Sequence, residues 1–296
     1  MTIEIASNVG RARLRIAYER LGDPAAPPVL LIMGLGAQLI GWPDGFCDAL
    51  VQRGLHVIRF DNRDAGESTH LHDAPPVSFP AAMLGDYSSV TYTLSDMAAD
   101  TVGLLDALGI DSVHVVGASL GGFVAQTVAI EHPDRVRSLT SIMSSTGDRG
   151  VGQLHPEAMS LFAAAVPTNR AEAAQRMLDA IRVIGSPGFP PDLEAAAERA
   201  ARAFDRGFDP AGMARQGVAV LASGDRTARL HALAVPALVV HGTADRMCDV
   251  SGGRATAAAI PGAELWLVDG MGHDLPRALW APLADKIAAL VARASR

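Results

Sequence analysis

At 296 residues, with 49% hydrophobic content and a mean hydropathy of +0.20, the chain can bury either one large α/β core or two small ones. Its net charge of −7 and pI near 5.7 exclude the clustered Lys and Arg surface that nucleic acid or an anionic membrane would require. Cys47 and Cys248 lie far apart and outside any metal-like spacing, so they read as free thiols in a reducing, cytoplasmic compartment. No basic-then-apolar leader opens the sequence. The best membrane-span candidate, residues 29–42, is too short and is broken by Gly34, Gly36 and Gly41.

Residues 2–21 alternate apolar and polar positions on either side of Asn8-Val9-Gly10, which predicts an antiparallel hairpin. The continuous apolar run 29–33 predicts a strand buried on both faces. The Gly-rich segment Gly34-Leu-Gly-Ala-Gln-Leu-Ile-Gly41 follows it. A short amphipathic helix over 46–54 leads to a strand at 56–60, which ends in Asp61-Asn-Arg-Asp64. Residues 70–90, rich in Pro, Ser and Gly, predict a loop excursion. A helix over 94–108, capped by Thr93 or Ser95, precedes a strand that begins at Val113 and stops at Gly117. Another helical pattern starts at Phe123, and a strand occupies 136–143. Between 146 and 232 the pattern changes to Ala-rich helical segments at about 169–184, 192–204 and 210–223, with no strand-like run. Strands resume at 237–241 and 264–268, and a helix occupies 278–294. Strands alternating with helices on both sides of an all-helical insertion predict a mostly parallel, doubly wound α/β sheet. The core is expected in residues 1–145 and 233–296. A helical cap is expected in 146–232, with the breaks at 185–188 and 190–191 as hinges.

The stretch that organises the rest is Val115-Val-Gly-Ala-Ser-Leu-Gly-Gly-Phe123. A β-branched run stops at Gly117, Ser119 stands at the apex, and a helix begins beyond Gly121 and Gly122. Strand, sharp turn and helix around Gly-x-Ser-x-Gly read as a nucleophile elbow. The serine takes a strained conformation and the flanking chain packs closely, so a Cβ at either glycine would collide. A serine alone is a weak nucleophile and needs a base held by an acid. His273, in the glycine-rich loop 270–276 after the last strand, shares the elbow's sheet edge. The other histidines are less well placed. His241 ends a strand and is read as local packing beside Gly242. The acid is expected on the loop after the penultimate strand, where Asp245 and Asp249 both qualify. Asp245 is preferred because it lies nearer the strand end; Asp269 and Asp274 rank below both.

Acyl transfer develops a negative oxygen, which backbone N–H groups stabilise. The donors expected here are Leu120, at the start of the elbow helix, and Leu35, in the loop 34–36. A dinucleotide fingerprint in that loop fails because Leu39 stands at the third glycine position. No His/Cys/Asp cluster has ligand spacing, so neither metal nor organic cofactor is expected. The segment 61–64 reads as a polar brace near the oxyanion loop. Gly34, with Phe162, Phe189 and Phe208 of the insertion, forms the expected substrate-facing set. A small-molecule substrate is the expected partner, and a homo-oligomer stays open.

Several blocks resemble the α/β-hydrolase superfamily, and are especially similar to the LipG-type esterases and the aclacinomycin methylesterases. They are Leu31-Ile-Met-Gly-Leu-Gly36, His56-Val-Ile-Arg-Phe-Asp-Asn-Arg63 with Gly66 and Ser68, residues 115–122, Ala214-Arg-Gln216, and residues 270–276. They span nearly the whole chain. The resemblance implies carboxylic ester hydrolysis with Ser119, Asp245 and His273 as the triad. The first block departs from the commoner pattern, with Met33-Gly34 where His-Gly is usual; a backbone donor survives that change. Thioester, peracid, amide and C–C substrates fit the same triad. A ligand receptor that keeps the fold without turnover is the alternative from another class.

Overall fold

The computed structural model describes residues 2–294. Residues 1, 295 and 296 of the expected core segments lie outside that range. The strands are β1 (Glu4–Val9), β2 (Leu14–Leu21), β3 (Pro28–Ile32), β4 (His56–Phe60), β5 (Val113–Ala118), β6 (Val136–Ile142), β7 (Ala237–Gly242) and β8 (Glu264–Val268). They form one sheet in the order β1-β2-β4-β3-β5-β6-β7-β8. The hairpin pairs antiparallel, β2 pairs antiparallel with β4, and every pair from β4 to β8 is parallel. The helices are α1 (Asp44–Val51), α2 (Phe79–Met83), α3 (Leu94–Leu108), α4 (Leu120–Glu131), α5 (Ser160–Ala163), α6 (Arg170–Ile184), α7 (Leu193–Asp205), α8 (Pro210–Ser223), α9 (Thr227–Leu230), α10 (Ser251–Ala259) and α11 (Trp280–Ala294).

Strand periodicity divides the core in two. Leu30 and Ile32 of β3 point into the cluster holding Leu104 and Leu105 of α3 and Val124 and Val128 of α4. Val29 and Leu31 point the other way, onto Phe46 and Leu50 of α1 and Leu283 and Ile287 of α11. Burial on both faces explains why β3, β5 and β7 read as continuous apolar runs. The strand order reverses after β4, where β5 crosses to the other side of β3, and because β3 and β5 to β8 run parallel, the loops after β3, β5, β7 and β8 emerge at one sheet edge.

The expected loop at 70–90 contains a short helix, α2. Ser78 caps it by accepting from the Ala81 N–H (3.3 Å), and Pro80 sits in its first turn. Helix α10 is additional to the predicted elements. Its Gly252 and Gly253 weaken the helical signal, yet close packing requires them. A Cβ at 253 would lie 2.5 Å from His241 Nδ1, and one at 252 would lie 2.7 Å from Ser145 Cβ.

Among the described residues, the segment between β6 and β7 is helical and contains no strand. Helices α6 and α7 pack against each other as an antiparallel pair, joined at one end by residues 185–192 and tied at the other by Arg170–Asp205 (2.9 Å). Helix α8 is bound to the core. Arg215 grips Asp64 through two hydrogen bonds (2.8 and 2.7 Å), and Gln216 donates to the Arg63 carbonyl (2.7 Å). No helix among the described residues is long and apolar enough to cross a membrane.

Candidate active site

Ser119 stands between β5 and α4 with φ +55° and ψ −121°, a conformation that side-chain-bearing residues rarely adopt. Its neighbours make that turn sterically possible. A Cβ on Gly117 would run into the Gly121 carbonyl, and one on Gly121 would run into the Ile32 carbonyl. The elbow is pinned by the Ser119 N–H donating to the Ile142 carbonyl (2.9 Å), while the Ser119 carbonyl accepts from Gly122 N–H (2.8 Å).

His273 lies on the loop after β8, and Asp245 on the loop after β7. His273 Nε2 is 2.9 Å from Ser119 Oγ, and His273 Nδ1 is 2.7 Å from Asp245 Oδ2. The second oxygen of Asp245 accepts from the Met247 and Cys248 N–H groups, both at 2.9 Å. Burial pushes the Asp245 carboxyl up. The His273 charge and the bonds from His241, His273 and Cys248 outweigh it and hold the group well below the ordinary carboxylate range. Asp249 turns elsewhere and accepts from the Ser251 N–H (2.9 Å) at the start of α10. Asp269 accepts from Thr243 Oγ1 (2.9 Å), and Asp274 pairs with Ser186. Of the four aspartates weighed from the sequence, Asp245 is the one that meets the imidazole.

His241 does more than pack beside Gly242. Its Nε2 donates to the Cys248 carbonyl (2.7 Å) and lies 3.5 Å from Asp245 Oδ2, so a second imidazole borders the carboxylate. The sequence carried a signal for this in the i, i+4 spacing of His241 and Asp245 around a tight turn.

The loop after β3 comes against the elbow at Gly34, where a Cβ would lie 3.2 Å from Ser119 Cβ and 3.7 Å from its Oγ. Among the described residues, neither the Leu35 nor the Leu120 N–H is used in a hydrogen bond within the protein. Leu120 begins a twelve-residue helix, whose N-terminal end favours negative charge. The loop is held from several sides. Gln216 accepts from the Gly36 N–H (2.8 Å), Asn62 donates to the Met33 carbonyl (3.1 Å), and Asp61 accepts from the Leu39 N–H (2.6 Å). The segment 61–64 is therefore the polar brace its composition predicted. Gln216, fully buried, is an additional holder; its signal was the Ala214-Arg-Gln216 block, whose partners sequence spacing could not identify.

The aromatic candidates separate. Phe162 stacks on Phe79 of α2 (5.8 Å between centroids), and the Phe79 ring lies over Gly217 near the Leu35 side chain. Phe189 packs instead on the core cluster of Met271, Leu279 and Val268. Phe208 is exposed and stacks on Phe204 (5.9 Å). Two surface depressions of about 500 Å³ each are lined by other residues, one around Pro133 and Val235 and one by Ala171 and Ala174 of α6 with Ala197 and Ala201 of α7.

Asp64, His70 and Asp209 form the one group of carboxylate and imidazole side chains, among the described residues, close enough together to hold a metal ion. Their atoms are committed elsewhere. Asp64 accepts from Arg215, from Tyr92 Oη (2.8 Å) and from the Leu71 N–H (2.7 Å), while His70 bridges Asp209 and the Gly66 carbonyl (2.9 Å each). A guanidinium in that position opposes a second cation, so the donor set fits an ion-pair network rather than a metal centre.

A family model described as the alpha/beta hydrolase fold matches residues 27–276. Rhodomycin D methylesterase from Streptomyces peucetius is 30% identical over 292 residues, covering 92% of this chain and 93% of its own. The 2-hydroxymuconate semialdehyde hydrolase of Pseudomonas putida is 31% identical over 273 residues, covering 90% and 88%. Among solved structures, a hydrolase from Pseudomonas aeruginosa PA01 is similar with a TM-score of 0.70 and 25% identity, over 99% of this chain and 98% of that one. With its sheet order, its elbow and these likenesses, the chain belongs to the alpha/beta hydrolase fold family.

Proposed function

We propose that this protein is a serine hydrolase that cleaves small-molecule carboxylic esters through an acyl-enzyme. The observation that carries the reading is the continuous line Ser119 Oγ–His273 Nε2 (2.9 Å) and His273 Nδ1–Asp245 Oδ2 (2.7 Å), beside two unused backbone N–H groups. Ser119 attacks the ester carbonyl as His273 Nε2 takes its proton. The oxyanion is met by the Leu35 and Leu120 N–H groups. Collapse of the tetrahedral intermediate expels the alkoxide, which leaves as the alcohol with the proton from His273. Water, deprotonated by the same nitrogen, then attacks the acyl-enzyme and frees the carboxylic acid and Ser119. Asp245 keeps the Nδ1–H tautomer and stabilises the imidazolium.

The likeness to rhodomycin D methylesterase supports an ester, and makes a methyl ester the first class to test. The likeness to 2-hydroxymuconate semialdehyde hydrolase favours one second reading, C–C hydrolysis on the same residues. The insertion 146–232 is the proposed cap and specificity element, with Phe162 as its substrate-facing residue and Gly34, on the loop after β3, as a further one; Phe189, packed on the core, and Phe208, exposed against Phe204, are left out of the pocket. Of these, Phe162 has the best-supported position because its stack with Phe79 lies beside Leu35. Turnover of a panel of methyl, p-nitrophenyl and thio esters against a vinylogous 1,5-diketone tests the assignment. Ester turnover with an inert diketone is expected. The reverse order would move the assignment to C–C cleavage.

A further inference from the structure

The breaks in the insertion invite a reading as hinges of a lid, but the first of them is bonded to the loop that carries the base. The His273 N–H donates to the Ile184 carbonyl at the end of α6 (2.7 Å). Ser186 Oγ accepts from the Gly272 N–H (2.8 Å) and donates to Asp274. The Gly188 N–H donates to the Gly270 carbonyl (2.9 Å). The two chains approach too closely for side chains: a Cβ on Gly188 would lie 2.8 Å from Gly270 Cα, and one on Gly272 would strike the Gly185 carbonyl. On its other side the same loop is held by the acid loop, where the Ala244 N–H donates to the Met271 carbonyl (3.0 Å).

The opposite end of the α6–α7 pair is tied just as firmly to the oxyanion loop. Gln38 donates to the Ala203 carbonyl (2.7 Å) and the Gly207 carbonyl (3.2 Å). Arg206 donates to Gln38 Oε1 (2.6 Å) and to Asp61 Oδ2 (2.9 Å), the same carboxylate that holds the Leu39 N–H. A helical pair bonded at one end to the base loop and at the other to the oxyanion loop sets the spacing between them. Swinging it open would break both sets of bonds and leave buried polar groups without partners.

We propose that Ser186 is a positioning residue for His273, and that the α6–α7 pair is a strut holding the base loop and the oxyanion loop in register. The proposal rests on the esterase reading above. Proton transfer needs His273 Nε2 within hydrogen-bond reach of Ser119 Oγ, and displacements near 1 Å cost on the order of a hundredfold. Ser186→Ala removes the donor to Asp274 and the acceptor for Gly272, both adjacent to the base. Gly188→Ala pushes the strap off Gly270 at a separate point.

The test uses p-nitrophenyl acetate kinetics normalised to titrated active sites, the second-order rate of phosphonylation by a small fluorophosphonate, and thermal melts. For Ser186→Ala we expect kcat and the phosphonylation rate to fall together by about 10- to 100-fold, with KM within about threefold. Gly188→Ala should behave alike, and Ser186→Thr, which keeps the hydroxyl, should recover most of the loss. An active wild-type enzyme whose Ser186→Ala variant keeps kcat and labelling within about threefold overturns this role alone. So does a loss confined to KM or to the melting temperature. A wild-type protein that neither turns over esters nor labels overturns the esterase reading and this role with it.

Discussion

Asp245→Asn separates electrostatic holding from mere packing, because the structure dictates how the new amide must lie. Asp245 Oδ1 accepts from the Met247 and Cys248 N–H groups (2.9 Å each), so the amide oxygen of an asparagine is drawn to that side. Its NH₂ is then aimed at His273 Nδ1, which sits 2.7 Å from the present Oδ2. A donor facing Nδ1 forces the imidazole proton onto Nε2, where Ser119 Oγ needs an acceptor. The variant should fold, since the amide replaces the carboxylate with similar volume and keeps the backbone bonds. Its kcat should fall by about 10³–10⁴-fold, equivalent to about 4–5.5 kcal/mol of transition-state stabilisation. The assay is steady-state hydrolysis of p-nitrophenyl acetate, with circular dichroism and melting to establish the fold. Asp249→Asn is the matched control: Asp249 accepts from Ser251 N–H rather than from His273, so a change under threefold is expected. Loss of less than tenfold in Asp245→Asn, or a larger effect at Asp249, would refute the reasoning.

The aromatic candidates should differ when truncated. Phe162→Ala opens the wall formed with Phe79 and should shift ester-length preference by about 1–2 kcal/mol in kcat/KM. Phe189→Ala, packed on the core, should instead cost about 1–3 kcal/mol of stability, and a denaturant melt distinguishes the two outcomes. EDTA should leave activity unchanged, because Asp64, His70 and Asp209 are committed to one another and to Arg215; loss restored by added metal would contradict that. Acid should destabilise the fold in a defined window. Burial, and then the Arg137 charge, push His114 down to about 4 from 6.5, so its neutral form is favoured in the fold. A depressed folded value gives stability that is complete above pH 6.5 and is lost as pH falls towards 4, at most about 3 kcal/mol. Denaturant melts at pH 7, 5.5 and 4.5 should show that slope, and His114→Asn should flatten it.

The strands and the main helices were legible because their periodicities are clean. Apolar runs such as 29–32 and 237–241 can be buried only between two layers of helices. The three polar groups of the site were legible too, because the elbow, the loop order and the glycine-rich His273 loop constrain each other. The residues that hold those groups could not be found in the same way. Gln216 lies 180 positions from Gly36, and Ser186 lies 88 positions from Asp274; no local pattern predicts either pair. Residues 185–188 have the composition of a flexible break. In the structure Gly188 lies against Gly270 and Gly185 against the Ile181 carbonyl of α6, each too close for a Cβ. Helix α10 was hidden for the same reason, since Gly252 and Gly253 leave room for Ser145 and His241.

The central claim is that Ser119 is the residue that becomes acylated. The most direct measurement is rapid mixing with excess p-nitrophenyl acetate, following p-nitrophenol release, then acid quench and peptide mapping by mass spectrometry. A burst approaching one equivalent per chain is expected whenever deacylation is the slower step. A single acetyl adduct is expected on the peptide bearing Ser119, absent from Ser119→Ala and accumulating more slowly in Asp245→Asn. Stoichiometric acetylation of a different residue, with turnover that survives Ser119→Ala, would contradict the claim.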